Sequence, residues 1–211
     1  MKEISGAEGT VFLEPFETIH QVVFPQSGMI SQLVVTQDGN SIEASTVGRE
    51  GAVGLHRAFG QRRSFTRAIV QIPGRFSVIP AQFFQEISLG SEAIRAMVAR
   101  YMEILLAEAQ QTTACNAIHD ASTRLCRRLL QSADRTGSNQ LPLTQELLAL
   151  MLGVRRTTVS FLAQELQAKG VIQYRRGQMV IRDRQALEAC ACECYHVMHP
   201  TNLPSMIGVE Q

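Results

Sequence analysis

A long stretch without proline or glycine, residues 91–114, most constrains how this chain folds. Apolar side chains recur in it every three or four residues, at Ile94, Met97, Val98, Tyr101, Ile104 and Leu105. This spacing predicts an amphipathic helix of about six turns, with Ser91 as its N-cap. The apolar stripe of such a helix needs a partner, and two partners fit the periodicity. The stripe packs on this chain's own domain, or it pairs with the same helix of a second copy.

The residues before this helix are predicted to form β-structure. Short runs rich in branched or aromatic residues occur at 11–13, 22–24, 30–35, 42–47 and 68–72. Turn signals separate these runs at intervals of roughly 8–12 residues, which is typical of a β-sandwich or β-barrel. The clearest of them is the Asp38-Gly39 pair, which predicts a hairpin between two of the runs.

The residues after the long helix are predicted to be mostly helical. Asp120 or Ser122 caps a first helix, which Gly137 ends. Further helices are predicted at 145–152, 156–169 and about 184–195, and a strand, a tight turn and a second strand at 171–181. The tail from Pro200 is expected to be loosely ordered.

The charge of the chain is almost balanced, with 20 Lys and Arg against 19 Asp and Glu. The net charge of +1 speaks against a globally basic nucleic-acid binder. The balance conceals one basic stretch, residues 155–184, which holds seven Lys or Arg and two Asp or Glu. Such a stretch is either a solvated surface or a nucleic-acid contact, and composition alone favours the solvated surface.

Residues 143–160 carry the pattern of a helix-turn-helix. A short helix capped by Thr144 stops at Gly153, and a second helix has apolar residues at 159, 162 and 166. The second helix opens with side chains that bind bases or phosphates, namely Arg155, Arg156, Thr157, Thr158 and Ser160. A hairpin with Arg175 and Arg176 at its tip then forms a wing. The combination favours DNA binding over an ordinary helix pair.

The same segment, Leu-Thr-x-x-x-Leu-Ala-x-x-Leu-Gly-Val-x-Arg-x-Thr-Val-Ser, resembles the signature of the Crp/Fnr family of bacterial transcription regulators. Residues 23–30 and 47–55 are similar to segments of that family's cyclic-nucleotide-binding-like domain. The resemblance implies an α+β protein, with a jelly-roll-type β-roll of eight strands in a sensor domain at 1–88. The resemblance further implies a dimerisation helix at 89–115 and a winged helix-turn-helix domain at 116–211. It also implies a homodimer, a double-stranded DNA operator, RNA polymerase as a further partner, and a cytoplasmic location.

The resemblance also resolves the partner of the long helix, because the family pairs this helix in a parallel dimer. The seam is then expected to hold Ile94, Met97, Val98, Tyr101 and Leu105. The resemblance implies base contacts from Arg156, Thr157 and Ser160. Phosphate contacts are expected from Arg155, Arg175 and Arg176, with Thr144 and Thr158 in the same interface.

Two residues of the second helix depart from the family pattern. Thr157 replaces an acidic residue that accepts a hydrogen bond from cytosine, and Phe161 replaces an arginine. The operator is therefore expected to differ from those of Crp and Fnr. Phe161 either contacts a thymine methyl group or packs in the core.

The expected ligand site also departs from the family. Its residues are Gly51, Ala52, Val53, Gly54 and Leu55, with Thr66 and Arg67. Members that bind cyclic AMP have a glutamate at the position of Ala52, which holds the ribose hydroxyl, and an Arg-Ser pair where Thr66-Arg67 stands. Because a site without this carboxylate loses its orienting contact, the chain is not expected to respond to cyclic AMP. Another small effector, or none, is expected, and a cyclic-nucleotide-responsive regulator is the alternative.

The cysteines are expected to be packing thiols of a cytoplasmic protein. There are five of them, and none precedes Cys115, which excludes the N-terminal iron–sulfur cluster of Fnr-type sensors. On a continuous helix Cys190 and Cys194 share a face while Cys192 points elsewhere. The sequence therefore predicts no metal site and no cofactor, and His119 is expected to be structural.

Two further classes are weighed and set aside. The sequence lacks the common nucleotide-binding and hydrolase motifs, so an enzyme is not expected. It contains no apolar stretch of about 18 residues, so no membrane contact is expected. A dimeric interaction module that does not bind DNA remains as an alternative function.

Overall fold

The computed structural model describes residues 1–60, 62–199 and 202. Its N-terminal part contains two antiparallel sheets, ordered β1-β7-β3 and β2-β6-β4-β5. The strands are β1 (Lys2–Gly6), β2 (Val11–Leu13), β3 (Gln21–Pro25), β4 (Met29–Val35), β5 (Ser41–Val47), β6 (Arg67–Ile72) and β7 (Gly74–Pro80). We refer to these two sheets together as the β-roll.

The β-roll is held together by apolar side chains that both sheets contribute to one core. Val23 and Phe76 come from the first sheet, and Ile30 and Val70 from the second, and each is at most 1% exposed. The predicted hairpin at Gly39 is confirmed, since β4 and β5 pair in antiparallel register around it. Among the described residues the β-roll has seven strands, where the resemblance implies eight.

A short helix, α1 (Ala81–Gly90), leads from the β-roll into the long helix α2 (Glu92–Ile118). The sequence did not predict α1. The predicted N-cap of α2 is confirmed, because the Ser91 hydroxyl accepts the backbone N–H of Ile94. The helix buries Val98 against Val22 and Leu55 of the N-terminal part. Part of its apolar face therefore packs on its own chain.

The C-terminal part begins with α3 (Ala121–Thr136), which Asp120 caps through the backbone N–H of Thr123. It continues with β8 (Gln140–Leu141), α4 (Gln145–Leu152), α5 (Arg156–Ala168), β9 (Ile172–Arg175) and β10 (Gln178–Ile181). The three strands form one antiparallel sheet, ordered β8-β10-β9. The sequence predicted each of these elements except β8, which pairs with β10 through only two residues.

The predicted helix at about 184–195 is wrong. Two short helices occupy this segment, α6 (Arg184–Ala189) and α7 (Cys194–Val197), and residues 190–193 between them are not helical. This break lets Cys192 and Cys194 both turn inward, where they pack with Cys115 and Met198. The prediction for the tail from Pro200 lies, apart from Asn202, outside the described residues. In the described part of the chain, every helix is too short or too polar to cross a membrane.

Buried ion pairs connect the C-terminal part to the rest of the chain. Arg128 of α3 lies 3.1 Å from Glu43 of β5, and both side chains are at most 4% exposed. Arg135 of α3 lies 2.8 Å from Glu50, which precedes the glycine turn, and 2.8 Å from Glu108 of α2. Because a buried charge is costly without its partner, these pairs hold α3 in one position against β5 and α2.

Candidate functional site

The turn between α4 and α5 fixes how the second helix is presented. Thr144 caps α4 by accepting the backbone N–H of Leu147 at 3.2 Å. Gly153 ends α4 in the left-handed conformation with φ +65°, and a Cβ there would lie 2.8 Å from Cδ1 of Ile42. The backbone angle favours glycine here, whereas the close contact is only with the movable end of the exposed Ile42 side chain. The short first helix and tight turn are those of a helix-turn-helix.

The first turn of α5 exposes polar side chains and buries apolar ones. Arg155, Arg156 and Thr157 are exposed, and Thr158 and Ser160 are half-buried. The apolar positions predicted at 159, 162 and 166 are all buried. Arg155 at the N-cap makes no side-chain capping bond. The backbone N–H groups at this helix end therefore lack a side-chain cap, and such groups bind phosphate well.

The structure decides the environment of Phe161, which the sequence left open, and gives Arg156 a partner that the sequence did not predict. Phe161 is 60% exposed, so it does not pack in the core. Arg156 donates from Nε to Oε1 of Glu146 in α4 at 2.8 Å, and both side chains are largely exposed. An exposed pair of this kind stabilises a protein by at most about 1 kcal/mol, so it leaves Arg156 able to exchange partners. Ser160 accepts a longer hydrogen bond, 3.4 Å, from Gln145.

The wing lies beside the two helices of this unit. Arg175 and Arg176 are exposed at its tip, and Arg176 has a positive φ of 50°. The wing glycine Gly177 lies next to Thr144, because a Cβ there would meet Cγ2 of Thr144 at 3.6 Å. The wing tip and the N-terminus of α4 are thus neighbours. The pair between Glu146 and Arg156 brings the N-terminus of α5 next to them. We name this surface after its predicted role, the DNA-facing surface; the residues predicted to bind DNA lie at these three points.

A cavity of about 750 Å³ lies between the β-roll and α2. Of the predicted ligand residues, Gly51, Ala52 and Leu55 line it, whereas Val53, Gly54, Thr66 and Arg67 do not. Val53 is buried and bridges to Val23, and Gly54 adopts φ +85°. Arg67 donates from Nε to Glu14 at 2.8 Å. Most of the remaining cavity wall is supplied by α2, with Phe24 and Phe84 as aromatic contacts.

The five residues predicted for the dimer seam differ in exposure within the single chain. Val98 is 1% exposed, Met97 is 62% exposed, and Ile94, Tyr101 and Leu105 are half-buried. Tyr101 sits directly over the glycine turn, since a Cβ on Gly51 would lie 1.8 Å from its hydroxyl oxygen. Burial beside Glu50 and Glu108 raises the pKa of this tyrosine above its ordinary value. Met97 is therefore the most exposed of the five in the single chain.

Four metal-binding side chains that the sequence did not group together meet at the end of α2. The ligand atoms of Cys115, His119, Cys192 and Cys194 all lie within 4.8 Å of one another. Sequence reasoning placed Cys192 away from Cys194 because it assumed a continuous helix, and the break at 190–193 removes that assumption. One signal was available: Cys115 and His119 are four residues apart, so they share a helix face.

This cluster is electrostatically unusual. Burial opposes ionisation of the Cys115 thiol. The Arg127 guanidinium and hydrogen bonds with neighbouring side chains, the largest of which is the bond with His119, outweigh burial and lower the pKa of this thiol. Burial raises the pKa of Cys192 to about 12. Hydrogen bonding to Cys115 raises the pKa of His119, against the smaller effect of desolvation.

The chain thus places a β-roll, a long connecting helix and a winged helix-turn-helix in this order, and the helix-turn-helix is a motif that DNA-binding proteins use. Residues 123–190 match the family model of the Crp-like helix-turn-helix domain. The chain therefore carries a Crp-like DNA-binding domain, and the resemblance to the Crp/Fnr family drawn from the sequence is confirmed.

Solved structures extend this similarity over nearly the whole chain. FixK2 from Bradyrhizobium japonicum is similar with a TM-score of 0.78 and 16% identity, over 90% of this chain and 97% of that one. A CRP/FNR-family transcriptional regulator from Thermus thermophilus gives a TM-score of 0.72 and 23% identity, over 90% and 98%. The c-di-GMP responsive global regulator CLP of Xanthomonas campestris gives a TM-score of 0.68 and 18% identity, over 85% of this chain and 93% of that one. These likenesses establish the fold. No curated protein matches the chain in sequence.

Proposed function

We propose that this protein is a homodimeric, sequence-specific DNA-binding regulator of transcription that does not respond to cyclic AMP. The observation that carries the proposal is the DNA-facing surface, where α5 exposes Arg155, Arg156 and Thr157 beside a wing tip with Arg175 and Arg176. Five polar or basic side chains converge there on a fold whose relatives are transcription regulators. The basic stretch is thus better explained as a contact surface than as a merely solvated one.

The roles within this surface follow from reach and exposure. Arg156, Thr157 and Ser160 lie on the first turns of α5, which is the part of a recognition helix that reads base edges in the major groove. Phe161, exposed on the next turn, is suited to a thymine methyl group. Arg155, Arg175 and Arg176 contact phosphates, and Thr144 and Thr158 support them from the helix ends.

The proposal is tested on an operator selected from random DNA, with binding followed by fluorescence anisotropy. Arg156→Ala is expected to weaken operator binding by at least about tenfold and to flatten the preference at one base pair per half-site. Arg175→Ala is expected to weaken all sequences alike and to lower the salt slope by about one for each phosphate that the arginine no longer neutralises. Arg182→Ala removes the same charge at the opposite end of the wing and is expected to leave the slope unchanged. Unchanged base preference in Arg156→Ala would contradict the base-reading role.

The dimer is proposed to form along the exposed side of α2. Of the predicted seam residues, Val98 is buried on its own chain, so the seam is placed instead on a stripe through Met97. Its members are spaced alternately by four and three residues, as in a coiled coil, and Ile104, Ala107 and Gln111 among them are half-buried in the single chain: Ala93, Met97, Arg100, Ile104, Ala107, Gln111, Ala114 and Ile118. Met97 and Ile118 are 62% and 76% exposed in the single chain. A two-fold dimer of this kind places its recognition helices about 34 Å apart, one turn of DNA. We therefore expect a palindromic operator.

The cavity beside Ala52 is proposed as the effector site, for a small molecule other than cyclic AMP. Two observations support this: Ala52 supplies no carboxylate for a ribose hydroxyl, and Arg67 is paired with Glu14 outside the cavity lining. Calorimetry with cyclic AMP, cyclic GMP and cyclic di-GMP tests it directly. Binding of cyclic AMP at micromolar concentration would support the alternative, a cyclic-nucleotide-responsive regulator.

The remaining parts of the proposal follow from this role. A regulator of this kind acts in the cytoplasm with RNA polymerase as its partner, and it catalyses no reaction. The rival function, a dimeric interaction module without DNA binding, predicts no shift of genomic fragments in a gel. A shift that Arg156→Ala abolishes would exclude that rival.

A further inference from the structure

We propose that Cys115, His119, Cys192 and Cys194 bind one Zn²⁺ ion, which fastens the C-terminal segment to the end of α2. The donor set itself points to this metal, since three thiols and one imidazole are a known ligand combination of closed, structural zinc sites. Soft sulfur ligands also select against magnesium and calcium. Three of the four residues are buried and the imidazole is half-buried, as a closed site requires.

Two of the six distances between ligand atoms match the edges of a single tetrahedral site, and the others are at most 4.8 Å, so an ion would draw the ligands together by up to about 1 Å. Zinc bonds of about 2.3 Å to sulfur and about 2.0–2.1 Å to nitrogen give tetrahedral edges of about 3.8 Å and about 3.5 Å. The two Sγ atoms of Cys115 and Cys192 are 3.6 Å apart, and Sγ of Cys194 lies 3.7 Å from Nδ1 of His119. A disulfide would need the sulfur atoms at about 2.05 Å. An iron–sulfur cluster would spread its ligands over several iron atoms, and a 4.8 Å span leaves no room for that.

Two neighbouring side chains contact the ligands, as the outer shell of a metal site does. Nε2 of His119 lies 3.2 Å from Oε1 of Glu193, so a carboxylate orients the imidazole with Nδ1 toward the sulfur atoms. Gln111 donates from Nε2 to Sγ of Cys194 at 3.0 Å. A hydrogen bond to sulfur of this kind stabilises a thiolate ligand.

A buried arginine supplies the matching charge. Arg127 is 0% exposed, and it contacts Met198, which packs in the same cluster as the three cysteines. Within the part of the chain that the structure describes, its Nε and Nη2 atoms have no hydrogen-bond partner. A buried, incompletely paired guanidinium is costly without a nearby negative charge. Zinc with three thiolates and a neutral imidazole carries one net negative charge. The loaded site would therefore supply the negative charge that the buried Arg127 guanidinium lacks.

The site would join distant parts of the chain. Cys115 lies in the last turn of α2, His119 is the residue after that helix, and the other two ligands lie near the chain's C-terminal end. Metal binding would therefore pin residues 190–198 against the junction of α2 and α3. This explains why the segment breaks its helix at 190–193, since only that break turns both Cys192 and Cys194 inward.

The test is the zinc content of the full-length protein, purified without chelator and measured by mass spectrometry of the metals. We expect one equivalent of zinc per chain, and less than a tenth of that in Cys194→Ser and in His119→Ala. Cys190→Ser is the matched control, because its thiol lies in the same segment but outside the cluster, and it is expected to keep one equivalent. Wild-type protein without zinc, or one equivalent that all variants retain, would overturn the proposal.

A second measurement covers variants that fail to fold. Wild-type protein stripped by a chelator is titrated with Co²⁺, which gives intense visible bands when bound by thiolates in a tetrahedron. We expect these bands to appear at one equivalent and to vanish when Zn²⁺ is added. Absence of the bands in folded protein, or a disulfide between Cys115 and Cys192 in protein kept under reducing conditions, would overturn the assignment. Removal of zinc is also expected to lower Tm by several degrees.

Discussion

At the scale of single residues, the helix and turn positions around Arg156 could be predicted from the sequence, whereas the cluster of Cys115, His119, Cys192 and Cys194 could not. The positions around Arg156 follow a contiguous pattern, because a helix, a glycine turn and a second helix are local structures with local signals. The cluster needs Cys115 to meet Cys192, a contact between residues 77 apart in the chain. No local pattern encodes such a contact, and the assumption of a continuous helix at 184–195 concealed it.

One residue contact modifies how Arg156 is used. The guanidinium of Arg156 pairs with Glu146, and in its proposed base-reading role it would have to leave this carboxylate to bind a guanine. Glu146→Gln should remove that competition together with a negative charge near the phosphates. Because exposed pairs stabilise by about 0.2–1 kcal/mol, operator affinity is expected to rise by about 1.4- to 5-fold. Anisotropy at fixed salt measures this change.

The matched control for this prediction is Glu165→Gln, which removes the same charge on the exposed surface near the far end of α5. It is expected to change the affinity less than Glu146→Gln does. An affinity that stays constant or falls in Glu146→Gln would mean that Glu146 does not compete for Arg156. A fall in affinity would in addition make Glu146 itself the candidate for a contact with cytosine.

At the scale of elements, the structure follows the sequence wherever an element carries its own apolar pattern. The long helix, the hairpin around Gly39 and the helix-turn-helix all have such patterns. The strand β1 lacks one: in Lys2–Gly6 only Gly6 is buried, and the strand is held by pairing with β7, more than 60 residues away along the chain. The two-residue strand β8 is likewise formed by its neighbour β10. Tertiary pairing determines these elements, so propensity does not reveal them.

The long helix α2 packs partly on its own chain, and its proposed pairing with the same helix of a second copy remains to be tested. Met97 lies on its open side, so Met97→Glu would place two like charges face to face across a two-fold seam. We expect the dimer dissociation constant to rise by at least about tenfold, which is about 1.4 kcal/mol, as measured by analytical ultracentrifugation. Operator affinity should fall with it.

Leu106→Glu serves as the control, since Leu106 is 60% exposed on the opposite side of α2 and the substitution introduces the same charge. It is expected to leave the dimer intact. If both variants weakened the dimer equally, the seam would not follow the stripe of Met97 and Ile104. If neither did, the dimer would form through another surface.

At the scale of the whole molecule, Arg135 connects the three parts that a regulator must couple. It belongs to α3, and it binds Glu108 of the long helix and Glu50 in the wall of the cavity that we propose as the effector site, each at 2.8 Å. A ligand that moved the glycine turn would act directly on this arginine. The network is buried, with the Arg135 side chain 5% exposed and that of Glu108 9% exposed. Its charges therefore matter for stability as well as for coupling.

Removing Arg135 should make the stability of the protein depend more strongly on pH. Burial already raises the pKa of Glu108 above 4.5, and the positive charge of Arg135 opposes that rise. In Arg135→Ala the opposition is lost, so folded Glu108 holds its proton far more tightly than the unfolded chain does. A carboxyl group with a raised folded pKa supports the fold below the unfolded pKa, and this support is lost as the pH rises through the folded pKa. We therefore expect a loss of about 3–5 kcal/mol near pH 8 and a smaller loss near pH 5.

Urea unfolding of wild type and variant at both pH values measures this difference. The double variant Arg135→Ala with Glu108→Gln is the control: it lacks the ionisable group, so its loss relative to wild type should be nearly the same at both pH values. An equal loss at both pH values in the single variant would mean that water reaches Glu108 once Arg135 is gone. The carboxylate would then be solvated without its arginine, and the contact among the DNA-binding part, α2 and the glycine turn would depend on packing around Tyr101 rather than on charge.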